Sequence, residues 1–189
     1  MVRPLRLDPS SVAELVERAR RGDDWGCETL YRMFAADVTR VATFALGRSD
    51  DAQDVVQDAF IKAFDRIDTL SDPSAFGGWI ARIAINLARN RLRRRRLQRM
   101  LGLGGAAEPV DFERLAGSGA SPEQRAELAL IAEVLGEVSV DARAAFVLRR
   151  VEGWPLAEIA DALSMSLATT KRRIDEVETR LARHAGGAT

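Results

Sequence analysis

Residues 51–67 read Asp-Ala-Gln-Asp-Val-Val-Gln-Asp-Ala-Phe-Ile-Lys-Ala-Phe-Asp-Arg-Ile. Ala52, Val55, Val56, Ala59, Phe60, Ala63, Phe64 and Ile67 fall on one side of a 3.6-residue turn. A strand would need alternation, which appears nowhere in residues 1–100. The stretch therefore predicts a helix with a nearly continuous apolar face. Asp51, Asp54 and Asp58 lie beside that face, three and four residues apart.

The same period extends outward in both directions. Towards the N-terminus, Ser11-Val12-Ala13-Glu14 is a capping-box pattern, and Val12, Leu15, Val16 and Ala19 share one face. Gly22 ends that helix. The next starts near Asp23 or Asp24, carries Leu30, Phe34, Val38, Val41 and Ala45, and closes at Gly47. Towards the C-terminus, Leu70–Ser74 is a turn. A long helix then buries Phe76, Trp79, Ile80, Ile83, Ala84 and Leu87 before arginine replaces the apolar stripe.

Residues 101–120 hold five glycines and a proline and read as a linker. Ser121-Pro122 then starts a helix with Leu128, Ile131, Ala132 and Leu135 inward. A helix over about 140–152 follows, with Ala145, Phe146, Leu148 and Val151 inward. Gly153 breaks it. Pro155 opens a short helix to Leu163. Leu163–Ser166 is a tight turn, and a last helix runs from about Leu167 to His184 with Ile174, Val177 and Leu181 inward. The expected fold is all-α. Two small helical domains, 10–99 and 121–184, are joined by a flexible linker over 100–120, and the second contains a helix-turn-helix.

The chain has 189 residues, 47% hydrophobic and 30% charged, which is apolar enough to exclude global disorder. The 28 basic and 28 acidic residues cancel to a formal net charge of zero, but the charge lies in blocks. Residues 50–72 carry Asp50, Asp51, Asp54, Asp58, Asp65, Asp68 and Asp72 against Lys62 and Arg66. Residues 73–107 carry no acid, and hold Arg82, Arg89, Arg91, Arg93, Arg94, Arg95, Arg96 and Arg99. An acidic face followed by a basic one points to two different partners. A single Cys27 and a single His184 exclude an internal disulfide framework and a His/Cys metal site. No apolar run approaches a membrane span of about 20 residues, and no signal peptide precedes the first helix, so a cytoplasmic location is expected. No nucleophile–base constellation or phosphate loop is present, so neither an enzyme nor a cofactor is expected.

Two motifs point to nucleic acid. In a helix-turn-helix the first turns of the second helix enter the major groove, and here they present Thr169, Thr170, Lys171, Arg172 and Arg173. Arg93–Arg96 extends a helix with no acid nearby in sequence, which suits phosphate binding through counterion release. Before it, Pro73–Trp79 combines glycine with aromatic rings, as single-strand binders do. Phe76 and Trp79 are better read as core, which makes Ser74 and Asn86 the better base contacts.

Together these residues resemble the sigma factors of bacterial RNA polymerase, and specifically the extracytoplasmic-function (ECF) group of the sigma-70 family. Four stretches carry the resemblance, in order, over about residues 12–184: Arg21–Arg32, Asp51–Phe60, Phe76–Asn90, and Ser121–Gln124 through to Arg173. The resemblance implies that Asp51, Asp54, Gln57, Asp58 and Phe60 dock on the β′ clamp helices of core polymerase. It implies that Ser71, Ser74, Trp79, Arg82, Asn86, Arg89, Asn90, Arg93, Arg94, Arg95 and Arg96 hold the melted −10 strand. Ser166, Thr169, Thr170, Lys171, Arg172 and Arg173 would read the −35 duplex while that domain leans on the β flap. It also implies an anti-sigma partner. The sequence departs from the family at Ser164, where glycine is common, at Leu167–Thr170, and at Val138–Asp141. Acids Asp175, Glu176 and Glu178 follow Arg173. A sigma-like regulator that binds polymerase or DNA without initiating is the alternative. A tyrosine recombinase is disfavoured, because Tyr31 and His184 are the only residues of their kinds.

Overall fold

The computed structural model describes residues 9–46, 50–101 and 121–186. These form eight helices: α1 (Pro9–Arg20), α2 (Asp24–Leu46), α3 (Asp50–Asp65), α4 (Phe76–Met100), α5 (Pro122–Glu137), α6 (Val140–Arg150), α7 (Leu156–Leu163) and α8 (Leu167–Gly186). Two 3₁₀ turns, Ile67–Thr69 and Pro73–Ala75, lie between α3 and α4. Among the described residues there is no strand, as the period-3.6 pattern requires. Gly47 and most of the expected linker lie outside the described residues; Met100 still belongs to α4.

The N-terminal half packs α1–α4 around Val16, Leu30, Val38, Val55, Ala59, Phe76 and Ile80. Close helix crossings need small residues. A Cβ at Gly26 would lie 3.0 Å from the Ala19 backbone nitrogen, so α2 meets α1 without a side chain between them. A Cβ at Gly77 would lie 2.8 Å from Cε1 of Phe34, which lets α4 start directly on α2. Arg18 pairs with Asp23 at 2.7 Å and lies 4.3 Å over the Trp25 ring, fixing the α1–α2 corner.

The C-terminal half assembles α5–α8 around Val134, Leu135, Leu148, Ile159, Leu163 and Val177. The side chains of Leu128 and Ala132 lie outside the described residues. Helix α6 starts at Val140 because the Ser139 hydroxyl accepts from the Ala142 N–H at 3.2 Å. The turn between α7 and α8 is carried by Ser164 at φ 55°, ψ 45°, a left-handed conformation that glycine adopts more cheaply.

Three local expectations are corrected. Helix α1 begins at Pro9, ahead of the Ser11 pattern. Helix α3 ends at Asp65, and Ile67 enters the core from a 3₁₀ turn. Val151 is the cap residue after α6 and is half exposed, because the chain turns there to reach Pro155.

The two halves also share a core. Val41 of α2 and Ile85 of α4 are buried with Ala144, Ala145 and Leu148 of α6, Ile159 and Leu163 of α7, and Ile174 of α8. Phe44 packs against the α5–α8 cluster.

Candidate nucleic-acid interface

The site is built on α4. Asp72 starts it: its Oδ1 accepts from the Ser74 N–H at 2.9 Å and from the Ser74 hydroxyl at 2.6 Å. Those bonds, the hydroxyl first, hold the Asp72 carboxyl below its ordinary pKa. Phe76 is fully buried, 5.3 Å from the Phe34 ring and 6.0 Å from Trp79. Trp79 is half-buried against the N-terminal core, so its ring serves packing. Ile80, Ala84 and Ala88 continue inward. The helix period therefore sends Ser71, Ser74, Asn86, Asn90, Arg93, Arg94 and Arg96 outward, and all seven are exposed.

The acidic and basic blocks meet across α3 and α4. Arg91 lies 3.3 Å from Asp51 and 2.6 Å from Asp54, and Arg95 also pairs with Asp51. Arg91 is no candidate on sequence. Its position in a run of arginines carries no mark that distinguishes a paired guanidinium from a free one. Asp51 is only 8% exposed and Phe60 only 3%; Phe60 packs edge-on against Tyr31 at 4.7 Å. Both were expected to touch polymerase directly. The structure places them beneath the surface, where they hold α3 in position. Asp54, Gln57 and Asp58 form the exposed outer face of α3.

Two more expected strand contacts are engaged by the C-terminal half. Arg82 donates to the Asp161 carbonyl. Arg89 donates to Asp141 Oδ1 at 2.6 Å, to the Leu163 carbonyl at 3.1 Å and to Asn86 Oδ1 at 2.8 Å. Nearby, Arg40 of α2 makes a bidentate pair with Glu152 at 2.7 and 3.0 Å. The Glu152 bond, first, raises the Arg40 pKa above its ordinary value.

The second site is the start of α8. The Ser166 hydroxyl accepts from the Thr169 N–H at 3.1 Å and donates to Thr169 Oγ1 at 2.9 Å, so Ser166 is the N-cap. Thr170 is fully buried, and its hydroxyl donates to the Ser166 carbonyl at 3.0 Å. That corrects its expected place on the DNA face: it ties down the turn from inside. Arg173 is half-buried and paired with Glu176 at 3.0 Å. Lys171 and Arg172 are exposed, as are Leu167, at 53%, and Ala168. Leu167 and Ala168 were not candidates; apolar side chains at this position suit a thymine methyl group. Glu178 pairs with Arg150 at 2.7 Å and Glu176 also reaches Arg180, which leaves Asp175 as the exposed acid of the three.

Comparison with known proteins gives the family. The sigma-70 region 2 family model matches residues 30–98, and the sigma-70 region 4 model matches residues 128–181. The chain is 32% identical over 167 residues to the RNA polymerase sigma-H factor of Pseudomonas aeruginosa, covering 85% of this chain and 86% of that protein. It is 30% identical over 169 residues to the ECF RNA polymerase sigma-E factor of Escherichia coli K12, covering 85% and 86%. Its fold superposes on CnrH, solved in complex with the cytosolic domain of CnrY, with TM-score 0.70 at 23% identity, covering 96% of this chain and all of that one. It also superposes on the sigma factor RpoE of Bartonella quintana, solved with the anti-sigma factor NepR, with TM-score 0.67 at 22% identity, covering 86% and 98%. Among the described residues no helix is long and apolar enough to cross a membrane. The chain belongs to the ECF group of the sigma-70 family, promoter-specific transcription initiation factors that bind DNA and RNA polymerase rather than catalyse a reaction.

Proposed function

We propose that this chain binds core RNA polymerase through the outer face of α3, holds the melted −10 strand on α4, and reads the −35 duplex with the first turns of α8. The observation that carries the reading is the charge on α4. Arg93, Arg94 and Arg96 are exposed on a helix whose sequence after Pro73 contains no acid. Such a face gains most by lying along phosphates. Ser71, Ser74 and Asn86 sit upstream on the exposed side, where a base drawn out of the stack meets hydrogen-bonding groups.

Asp54, Gln57 and Asp58 supply the polymerase contact on the β′ clamp helices, with Asp51 and Phe60 behind them. Lys171, Arg172, Thr169 and Ser166 supply the −35 contact, helped by Leu167 and Ala168, while the C-terminal half rests on the β flap. An anti-sigma protein is the expected regulator, since both superposed sigma factors were solved with one or with a cytosolic partner segment. Work in the cytoplasm follows from this role.

The test is transcription by sigma-free core polymerase, with and without this chain, on a pool of upstream DNA from its own genome. Discrete starts that share two motifs about two helical turns apart are expected. Core binding without any directed start would favour a sigma-like regulator that does not initiate.

A further inference from the structure

The turn over residues 71–74 is exposed at both of its serines. Such a turn aims its side chains only as firmly as its ends are held. One end is Phe76, fully buried at the start of α4. The other is Leu70, 5% exposed, whose side chain enters the N-terminal core with Ile67. Asp72 ties the middle through its bonds to Ser74. Burying the Leu70 side chain fixes where the backbone passes. It does not fix the peptide plane between Leu70 and Ser71, and that plane sets the direction in which the turn leaves the core.

Arg20 holds that plane. It is the last residue of α1, 47 and 50 positions before the two carbonyls it reaches. Its Nε and Nη2 each donate to the Ile67 carbonyl at 3.3 Å, and Nη2 also donates to the Leu70 carbonyl. The Leu70 carbonyl belongs to the peptide bond that leads into Ser71. On the far side of the guanidinium, Nη1 pairs with Glu17 Oε1 at 2.6 Å, one turn back on α1. A guanidinium is a flat, rigid fork, so orienting one edge on Glu17 orients the other on the two carbonyls. Helix α1 itself lies against both 3₁₀ turns. The sequence gives Arg20 no mark. Arg18 beside it goes to Asp23, and Arg21 is exposed.

We infer that Arg20 is a positioning residue for −10 recognition: it holds the Leu70–Ser71 peptide so that the 71–74 turn presents its serine hydroxyls to the displaced base, and it touches no DNA itself. This role rests on the assignment of that turn to the base. Lysine cannot take it over, because an ammonium keeps the charge but has no fork to span two carbonyls and Glu17. The consequence lies in selectivity. A turn that is loosely aimed holds the right and the wrong base more nearly alike, while phosphate contacts along residues 93–96 are untouched.

The experiment uses holoenzyme assembled from sigma-free core and the full chain. Open-complex formation is followed on a promoter mapped with the parent chain and changed one base at a time through the −10 element. Ser74→Ala locates the position that the turn reads, because discrimination should fall there and persist elsewhere. Arg20→Lys should reproduce that pattern at the same position, lowering the ratio of right to wrong base about fivefold, the worth of about one hydrogen bond. Arg20→Gln should leave the salt slope at the parent value. Parental discrimination at that position in Arg20→Lys, or an equal fall at every position, overturns the positioning role alone. A slope lower by about 0.7 in Arg20→Gln also overturns it, by making Arg20 a phosphate contact. Full discrimination in Ser74→Ala overturns the assignment of the turn, and the role of Arg20 with it.

A second measurement needs neither polymerase nor DNA. In the free chain the Leu70, Ser74 and Ala75 N–H groups are hydrogen-bonded within this segment. Hydrogen exchange of Arg20→Lys, read by mass spectrometry, should be faster over residues 68–75 and unchanged in α3 and α4. Unchanged exchange over 68–75 would show that the turn holds itself, and faster exchange throughout the N-terminal half would assign Arg20 to stability of the fold; either result overturns the positioning role.

Discussion

Helices α4 and α8, the two proposed DNA faces, both carry clustered cations, yet their charges are arranged in opposite ways. In α4 the arginines have no acid on their own helix, and two of them are neutralised from α3, by Asp51 and Asp54. The rest face solvent or the C-terminal half. In α8 the cations are followed by acids, and Arg173 and Arg180 are balanced within the helix by Glu176. A face with uncompensated charge suits a long run of phosphates and a steep salt dependence. A face with two or three free cations and a capped N-terminus suits a short, shape-fitted contact with one stretch of groove. The difference matches the division between a melted strand and an intact duplex.

The largest expected effect breaks the α4 side of this comparison. Arg93→Ala with Arg94→Ala and Arg96→Ala should weaken single-strand binding about 100-fold, taking about 1 kcal/mol per lost phosphate contact. It should also lower the salt slope by about 2, as for three single-strand phosphates. Anisotropy titrations across a salt series check both. The corresponding change on α8, Lys171→Ala with Arg172→Ala, removes two contacts. It should cost about 30-fold in duplex affinity with a slope loss of about 2, while strand binding is unchanged. Loss of strand binding in this variant would show that the two faces are not separate.

A smaller effect sharpens the α8 side. Ser164 adopts the left-handed conformation that positions α8 after α7. Ser164→Gly should stabilise the chain by about 1 kcal/mol by relieving that conformation. The corresponding rise in Tm is about 3 °C, read by thermal circular dichroism. An unchanged or lower Tm would mean that the serine side chain compensates its own backbone strain.

Much of the molecule was legible in its sequence, for reasons that can be named. The α3 face from Ala52 to Ala63 is periodic enough to exclude any other element, and the turns at Leu70–Ser74 and Leu163–Ser166 sit where the apolar stripes break off. Other features were not legible because they depend on partners far away in the chain. Arg91 reaches Asp54 across 37 positions and Arg89 reaches Asp141 across 52, and no local pattern distinguishes them from Arg93 or Arg94. Thr170 misled for a different reason. A threonine beside exposed cations reads as a contact, but its hydroxyl can satisfy itself on the carbonyl four residues back and its methyl then packs inward. The shared core was not legible because Val41 continues a stripe that already had a buried face to join, while Ile85 lies off the α4 stripe and no local pattern names the distant residues it packs against.

The most direct measurement is permanganate reactivity of unpaired thymines on a promoter found with this chain, combined with footprinting of the −35 duplex. Holoenzyme carrying the triple arginine substitution in α4 should keep −35 protection and lose the reactive −10 thymines. Holoenzyme carrying the paired substitution in α8 should lose −35 protection. Reactive −10 thymines at parent level with the α4 variant would contradict the account, because they would show that the strand is held elsewhere.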